Sequence, residues 1–118
     1  MNAQVCWLYE VTVKAGQAGT FRALMAELAG SAQAEQGTLV YEWALSDDQS
    51  MAHIHERYAD SAATLTHLTM FRDTFAQRFL ETAEPVRLVV YGTPSEQVKE
   101  ALTESGPVYM GAFTGFAR

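Results

Sequence analysis

Apolar side chains occupy nearly every position of residues 4–13, which read QVCWLYEVTV. This pattern is typical of a strand that is buried on both faces. Further strand-like runs cover residues 38–46, 51–58 and 86–91. The polar residues 47–50 separate two of these runs as a hairpin turn, and Pro85 precedes the last one. The pattern therefore predicts four strands, two of them joined as an antiparallel hairpin.

Two longer segments carry apolar residues at helical spacing. The first, residues 17–35, ends before Gly37, and its apolar positions are Phe21, Leu24, Met25, Leu28 and Ala32. The second covers residues 61–82 with Asp60 as N-cap and a break near Thr69, and its stripe comprises Leu65, Leu68, Phe71, Phe75 and Phe79. A short polar helix is expected over residues 95–104.

The predicted element order is β-α-β-β-α-β, which indicates an α+β, ferredoxin-like fold with an antiparallel sheet and its helices on one face. Because the strands are apolar on both faces, the second face would be a large exposed apolar patch. A second copy of the chain covering that face would give a dimeric α+β barrel, so we expect a homodimer.

The chain divides into residues 1–93, which hold the predicted fold, and residues 94–118, a C-terminal helix followed by an extension. The segment 106–118 is rich in aromatic residues and glycine. It predicts either an added edge strand or a lid over a pocket.

Period-two alternation assigns the strand residues to two faces. If the loop at 47–50 leaves an even number of residues, Tyr41 faces Glu56, Trp43 faces Ile54 and Glu42 faces His55. The more apolar face, which we expect beneath the helices, carries Trp7, Tyr9, Val11, Tyr41, Trp43, Ile54, Glu56, Tyr58, Val86, Leu88 and Val90. The face expected at the subunit contact carries Cys6, Leu8, Glu10, Glu42, Ala44, His53, His55, Arg57, Arg87 and Val89.

Charge and composition exclude several function classes. The net charge of −6 and the scattering of the 8 basic residues disfavour nucleic acid and anionic membrane surfaces as partners. No targeting segment or long apolar run is present, which leads us to expect a cytoplasmic protein. The single cysteine, Cys6, is interpreted as a packing residue. No nucleotide-binding, phosphate-binding, serine-hydrolase or thiol-redox motif occurs, so we expect no cofactor.

Three histidines and a few polar neighbours are the candidates for chemistry. The spacing of His53 and His55 fits metal ligands on a strand, but we favour structural histidines hydrogen-bonded to Glu42 or a neighbour, and hence no metal site. His67 shares the apolar stripe of the second helix and could transfer protons in an aromatic pocket, with Glu56 as its partner. A partly exposed His67 near the helix break is the alternative.

Residues 37–43 (GTLVYEW), residues 56–58 (ERY) and the helical His67 resemble the antibiotic biosynthesis monooxygenase family, including its quinol monooxygenase members. The resemblance covers about the first 92 residues and implies a dimeric ferredoxin-like barrel with a pocket between sheet and helices. It also implies oxygenation of polycyclic phenols or quinols by dioxygen without metal or flavin. Haem-degrading relatives carry an asparagine on the first strand, and residues 5–13 contain none, which argues against haem degradation.

The leading hypothesis is a cofactor-independent monooxygenase that acts on a small aromatic or quinol-type substrate with dioxygen. Its predicted catalytic residues are His67, Glu56 and Tyr58, and its predicted substrate-binding residues are Tyr41, Trp43, Phe71 and Phe75. Two alternatives use the same pocket. One is a non-catalytic domain that binds a small molecule, and the other is an isomerase-like enzyme with His67 and Glu56 as acid and base.

Overall fold

The computed structural model describes residues 3–118 of the chain. Its elements are β1 (Val5–Val13), α1 (Ala18–Gln33), β2 (Thr38–Leu45), β3 (Met51–Tyr58), α2 (Ser61–Met70), a π-helical segment (Phe71–Phe75), α3 (Ala76–Thr82), β4 (Ala83–Gly92), α4 (Glu96–Leu102), a 3-10 turn (Thr103–Ser105) and β5 (Val108–Met110). Over this range no helix has the length and apolarity needed to cross a membrane. The predicted ferredoxin-like α+β class and element order are confirmed.

The sheet has the strand order β2-β3-β1-β4-β5. β1 lies at its centre and pairs antiparallel with β3 and β4, whereas β5 pairs parallel with β4 at the edge. The predicted hairpin register is confirmed, because Tyr41 pairs with Glu56 and Trp43 pairs with Ile54. The side chains of these residues therefore alternate between the two faces as the loop length required.

The helices cover one face of the sheet and form two apolar clusters with it. The first cluster holds Val11, Val13, Phe75 and Phe79 together with four residues of the predicted stripe of α1: Phe21, Leu24, Met25 and Leu28. Ala32, the fifth residue of that stripe, is also buried. The second joins the sheet to α4 and contains Val5, Trp7, Tyr58, Leu88, Val90, Val98 and Leu102. Tyr9 is partly buried and packs against both clusters. The junction of the two clusters, beside Tyr9, is where the cavity described below lies.

The second predicted helix is interrupted, as its sequence indicated, but at Phe71–Phe75 instead of near Thr69. Asp60 caps its start and accepts a hydrogen bond from the Ala63 amide at 2.8 Å, as predicted. A π-helical segment contains one residue more per turn than the α-helix around it and often lies at a functional site. Here it changes which phenylalanines of the stripe face the cavity.

One face assignment is wrong. Val86 was expected beneath the helices, yet it is 55% exposed. The register of β1 and β4 shifts here, so that Glu10 pairs with Arg87 and Val11 pairs with Pro85, which leaves Val86 without a partner on β1. Proline has no amide hydrogen to donate and is found at such irregularities. β4 accordingly begins at Ala83, before the proline that was expected to precede it.

The C-terminal segment contributes an edge strand, which is one of its two predicted forms. β5 pairs with residues 89–91 of β4 and is exposed along its length. α4 and the 3-10 turn lie between β4 and β5, with Val98 fully buried against the second cluster. The final residues extend from the sheet, where Phe113 is 96% exposed.

Candidate functional site

An aromatic cavity lies between the covered face of the sheet and the second helical region. Its lining combines four aromatic residues from β1 and β2, three further polar residues, and apolar residues from the helices and β4: Trp7, Tyr9, Tyr41, Trp43, Glu56, His67, Leu68, Phe71, Phe79, Leu88, Leu102 and Ser105. Cavities with apolar walls and a few polar groups are the usual sites for small molecules.

Glu56 is the acidic group of this cavity, and its carboxylate is fixed by two donors. It is 6% exposed. The Trp7 indole nitrogen Nε1 donates to Oε2 at 2.6 Å, and the Tyr58 hydroxyl donates to Oε1. Trp7 lies on β1 and pairs with Glu56 on β3, and Tyr58 lies on β3 two residues after Glu56. The sheet itself therefore sets the position of the carboxylate.

His67 links Glu56 to a second carboxylate, and we call these three residues the Glu35–His67–Glu56 triad. His67 is 2% exposed. Its Nδ1 lies 2.9 Å from Glu35 Oε1, and its Nε2 lies 3.3 Å from Glu56 Oε1. Glu35 Oε1 also accepts a hydrogen bond from the Thr38 hydroxyl at 2.7 Å. The triad therefore joins the end of α1, the middle of α2 and β3.

The arrangement of donors and acceptors allows proton exchange between His67 and Glu56. An ionised Glu35 can only accept, so Nδ1 of His67 is the donor of that contact. Both Glu56 oxygens already accept from Trp7 and Tyr58. Nε2 lies 3.3 Å from Glu56 Oε1, which is close enough for a proton to pass between the two groups. Such a pair can take a proton from a ligand or return one.

Burial controls the electrostatics of the site. Burial raises the pKa of Glu56, and this outweighs the opposite effects of His67 and of the donors Tyr58 and Trp7. Burial, followed by the charge of Glu56, raises the pKa of Tyr9 to about 12. The same two causes raise the pKa of Tyr41 and of Tyr58. The tyrosines therefore remain hydroxyl donors, while Glu56 keeps a proton at a higher pH than an exposed carboxyl group does.

Two phenol rings hold the imidazole in place. The ring centroid of His67 lies 5.3 Å from that of Tyr41 and 5.2 Å from that of Tyr58. Trp43 Nε1 is buried and has no hydrogen-bond acceptor among the described residues. It lies near the Tyr41 hydroxyl and lowers the pKa of that group. This indole N–H is therefore a donor available to a bound molecule.

The structure brings together most of the residues predicted from the sequence. Glu56, His67, Tyr41, Trp43 and Phe71 all line the cavity, and His67 is buried, in contrast to the partly exposed alternative. The other two predicted residues lie behind its wall.

Tyr58 and Phe75 do not line the cavity. Tyr58 is fully buried and acts on the site through its hydrogen bond to Glu56. Phe75 belongs to the first apolar cluster, and Phe79 contributes to the cavity lining in its place. Tyr58 therefore reaches the site only through Glu56, and Phe75 lies in the core.

Sequence reasoning missed Glu35, Leu102 and Ser105. Glu35 lies just after the end of α1, where the helix dipole disfavours a carboxylate, and that position is a usable signal of a second role. Leu102 and Ser105 belong to the segment beyond residue 93, for which the pattern gave no contact with the core.

The two remaining histidines lie on the opposite face of the sheet. His53 Nε2 lies 3.3 Å from Glu10 Oε1, and Arg87 approaches the same oxygen at 4.0 Å. His55 pairs across the hairpin with Glu42. Within residues 3–118, no three histidine, cysteine or acidic side chains are arranged to hold a metal ion.

Comparison with known structures shows the same fold in several bacterial proteins. MupZ from Pseudomonas fluorescens has a TM-score of 0.88 at 22% identity, over 100% of this chain and 91% of MupZ. Rv0793 from Mycobacterium tuberculosis has a TM-score of 0.68 at 21% identity, over 79% of this chain and 97% of Rv0793. A variant of SnoaB, a cofactor-independent oxygenase from Streptomyces nogalater, has a TM-score of 0.67 at 14% identity, over 79% of this chain and 95% of SnoaB.

Family comparison is more specific than these structural likenesses. No curated protein matches the chain significantly in sequence. The sequence model of antibiotic biosynthesis monooxygenases, however, matches residues 5–70, which include Glu35, Glu56 and His67. This match covers more than half of the 118 residues. The chain belongs to the antibiotic biosynthesis monooxygenase family.

Proposed function

We propose that this protein is a monooxygenase that oxidises a small aromatic or quinol-type substrate with dioxygen and needs no cofactor of its own. The observation that carries the proposal is the Glu35–His67–Glu56 triad at the wall of an aromatic cavity. SnoaB, which shares the fold, is a cofactor-independent oxygenase. In such chemistry the substrate supplies the electrons, so the protein has to bind a ring, remove a proton and exclude water.

The first step is removal of the proton from a ring hydroxyl. The free Nε2 of a neutral His67, beside Glu56 Oε1, accepts this proton, and Glu35 stabilises the imidazolium through Nδ1. The phenolate oxygen formed is stabilised by donors that do not ionise, which here are the unpartnered Trp43 indole N–H and the Tyr41 hydroxyl. The negative charge spreads into the ring and makes its carbons electron-rich.

The second step is reaction of the anion with dioxygen. A ring carbon that is ortho or para to the phenolate oxygen and carries a hydrogen forms a C–O bond to dioxygen, and the proton held by the triad converts the product to a hydroperoxide. The C–H bond of that carbon then breaks, its electron pair forms the second bond to the attached oxygen, and the O–O bond breaks. The proton held by the triad and the hydrogen on that carbon leave with the distal oxygen as water. The balance is phenol plus dioxygen to quinone plus water, so no further reductant is required.

Oxygen consumption with a panel of phenols and hydroquinones tests the proposal. We expect uptake of one dioxygen per quinone formed by the purified chain. Tyr41→Phe removes a donor to the phenolate and should lower the rate by about 10²-fold. Tyr109→Phe is the matched control, because Tyr109 lies on the edge strand β5 and does not line the cavity. Absence of oxygen uptake with a phenol that binds would overturn the proposal and indicate a binding domain.

A second candidate is an acid–base enzyme that moves a proton within its substrate without oxygen. The observation that favours it is the raised pKa of Glu56, which fits a general acid as well as a base. The two candidates differ in one readout. Product formation at an unchanged rate under anaerobic conditions would support the acid–base enzyme and exclude the monooxygenase.

We also propose that the outer face of the sheet, which the helices leave uncovered, is the contact between two copies of the chain. It carries charges of both signs, among them Glu10, His53 and Arg87, which suits contact with an identical face. Sedimentation velocity at micromolar concentration should give a species of twice 13.0 kDa. A species of 13.0 kDa would contradict the homodimer.

A further inference from the structure

The C-terminal end of the cavity wall comes from a part of the chain that the family match does not include. The match ends at residue 70, whereas Leu102 and Ser105 lie on α4 and the following 3-10 turn. Leu102 is 5% exposed and belongs to the apolar cluster of Trp7 and Leu88, which also line the cavity. Ser105 is exposed, so it lies at the rim of the cavity.

This wall is firmly attached to the rest of the fold. Ser95 caps α4 by accepting a hydrogen bond from the Val98 amide, and its own amide donates to the Ser61 hydroxyl at the start of α2. Val98 is fully buried one helical turn before Leu102. Because a cap, a tie to α2 and a buried valine fix the helix, Leu102 cannot move away without breaking these contacts.

The space left inside the wall is small. The cavity volume is about 100 Å³. For comparison, an apolar cavity of about 150 Å³ in another protein takes up benzene. The space is therefore no larger than one ring requires, and it leaves no room for a second fused ring inside the wall to which Leu102 and Ser105 belong.

We infer that Leu102 and Ser105 limit the substrate to a single-ring phenol or hydroquinone. This inference rests on the proposed function for the identity of the ring substituents, since the triad requires a hydroxyl to deprotonate. It concerns size, which the triad does not determine. The segment 94–118 thus contributes Leu102 and Ser105 to the substrate site, and these two residues limit the size of the substrate that fits.

Binding measured by isothermal titration calorimetry without oxygen tests the inference. The probes are hydroquinone and 1,4-dihydroxynaphthalene, which differ by one fused ring. We expect the wild-type chain to bind hydroquinone at least about tenfold more tightly than the naphthalene diol, a difference of about 1.4 kcal/mol. Leu102→Ala should remove this preference, because the vacated space accepts the second ring. Leu80→Ala, at a leucine that is 51% exposed on α3, is the matched control.

A second variant keeps the test decisive if Leu102→Ala does not fold. Ser105→Phe adds a ring at the rim without disturbing the core and should weaken hydroquinone binding by at least about tenfold. Glu104→Phe, at the exposed neighbour that does not line the cavity, should leave binding unchanged.

Three results would overturn the inference: equal affinity for both probes, binding of neither probe, or unchanged binding in Ser105→Phe. A failed reaction gives a different signature. If the chain binds hydroquinone selectively yet consumes no oxygen with it, the proposed oxygenase reaction is wrong and the size limit stands.

Discussion

Two ion pairs of this chain have contrasting geometry and surroundings. Glu27 of α1 and Arg78 of α3 make two hydrogen bonds of 3.0 and 3.1 Å, with side chains that are 54% and 46% exposed. Glu56 and His67 make a single contact of 3.3 Å, with side chains that are 7% and 3% exposed. The surface pair thus has the better geometry, and the buried pair has almost no water.

Burial, more than distance, separates what the two pairs do. Arg78 lowers the pKa of Glu27, chiefly through the hydrogen bonds, because water already solvates the carboxylate. Burial raises the pKa of Glu56 although His67 lies beside it. An exposed pair of good geometry contributes little to stability, whereas a buried carboxylate near a proton acceptor can perform chemistry.

The largest effect is expected for turnover in Glu56→Gln. The amide keeps the shape of the carboxyl group, but its NH2 group cannot accept one of the two hydrogen bonds from Trp7 and Tyr58, and the amide cannot exchange a proton with His67. Loss of a general acid or base lowers a rate by about 10²- to 10⁴-fold. Initial rates of oxygen consumption measure this change. Glu27→Gln is the matched control with an unchanged rate, and comparable losses in both variants would remove the contrast between the pairs.

The next effect concerns the stability of His67→Ala. Removal of the imidazole takes away the one side chain that lies between the carboxyl groups of Glu35 and Glu56, which then keep only the neutral donors Thr38, Trp7 and Tyr58. Breaking a buried pair in this way costs about 3–5 kcal/mol of unfolding free energy. Urea denaturation followed by circular dichroism gives the value. A midpoint equal to that of the wild-type chain would show that the triad does not form.

The pH dependence of stability should have opposite signs for the two glutamates. The folded chain retains a proton on Glu56 that the unfolded chain releases, so Glu56 makes the unfolding free energy fall as pH rises above about 4.3. That decline ends when the pH passes the raised pKa of the folded state. The pKa of Glu27 is lowered in the folded chain, so Glu27 stabilises the fold at pH values above about 4.3. This stabilisation is lost as the pH falls through the pKa that Glu27 has in the folded chain.

The glutamine variants separate these two contributions. Glu56→Gln should flatten the decline of the unfolding free energy above about pH 4.3. Glu27→Gln should remove part of the loss of unfolding free energy that occurs below that pH. The titratable groups that contact Glu56 are His67 and Tyr58, and Glu35 acts on it through its charge. Urea midpoints measured at half-unit steps of pH test the signs. A steeper decline in Glu56→Gln would contradict the assignment.

Sequence patterns predicted the parts of this site that depend on periodicity within an element. Alternation and an even loop placed Tyr41 opposite Glu56, and helical spacing turned His67 toward the sheet. Periodicity gives no distance between elements, so the contact of Glu35 with His67, 32 residues apart, remained hidden. The π-helical segment contains neither proline nor glycine, so nothing in the sequence signalled that Phe75 would leave the cavity lining to Phe79.

The smallest effect is expected for the salt dependence of stability in the two pairs. Ions screen exposed charges over a Debye length of about 10 Å at 0.1 M and about 3 Å at 1 M ionic strength, and they reach a buried pair much less. The change in urea midpoint caused by Glu27→Gln should therefore be small at low salt and disappear in 1 M sodium chloride. The change caused by His67→Ala should persist in the same solutions, because its origin is desolvated charge inside the fold. If salt abolished both changes, water would have to reach the triad, and the cavity could not protect a phenolate during its reaction with dioxygen.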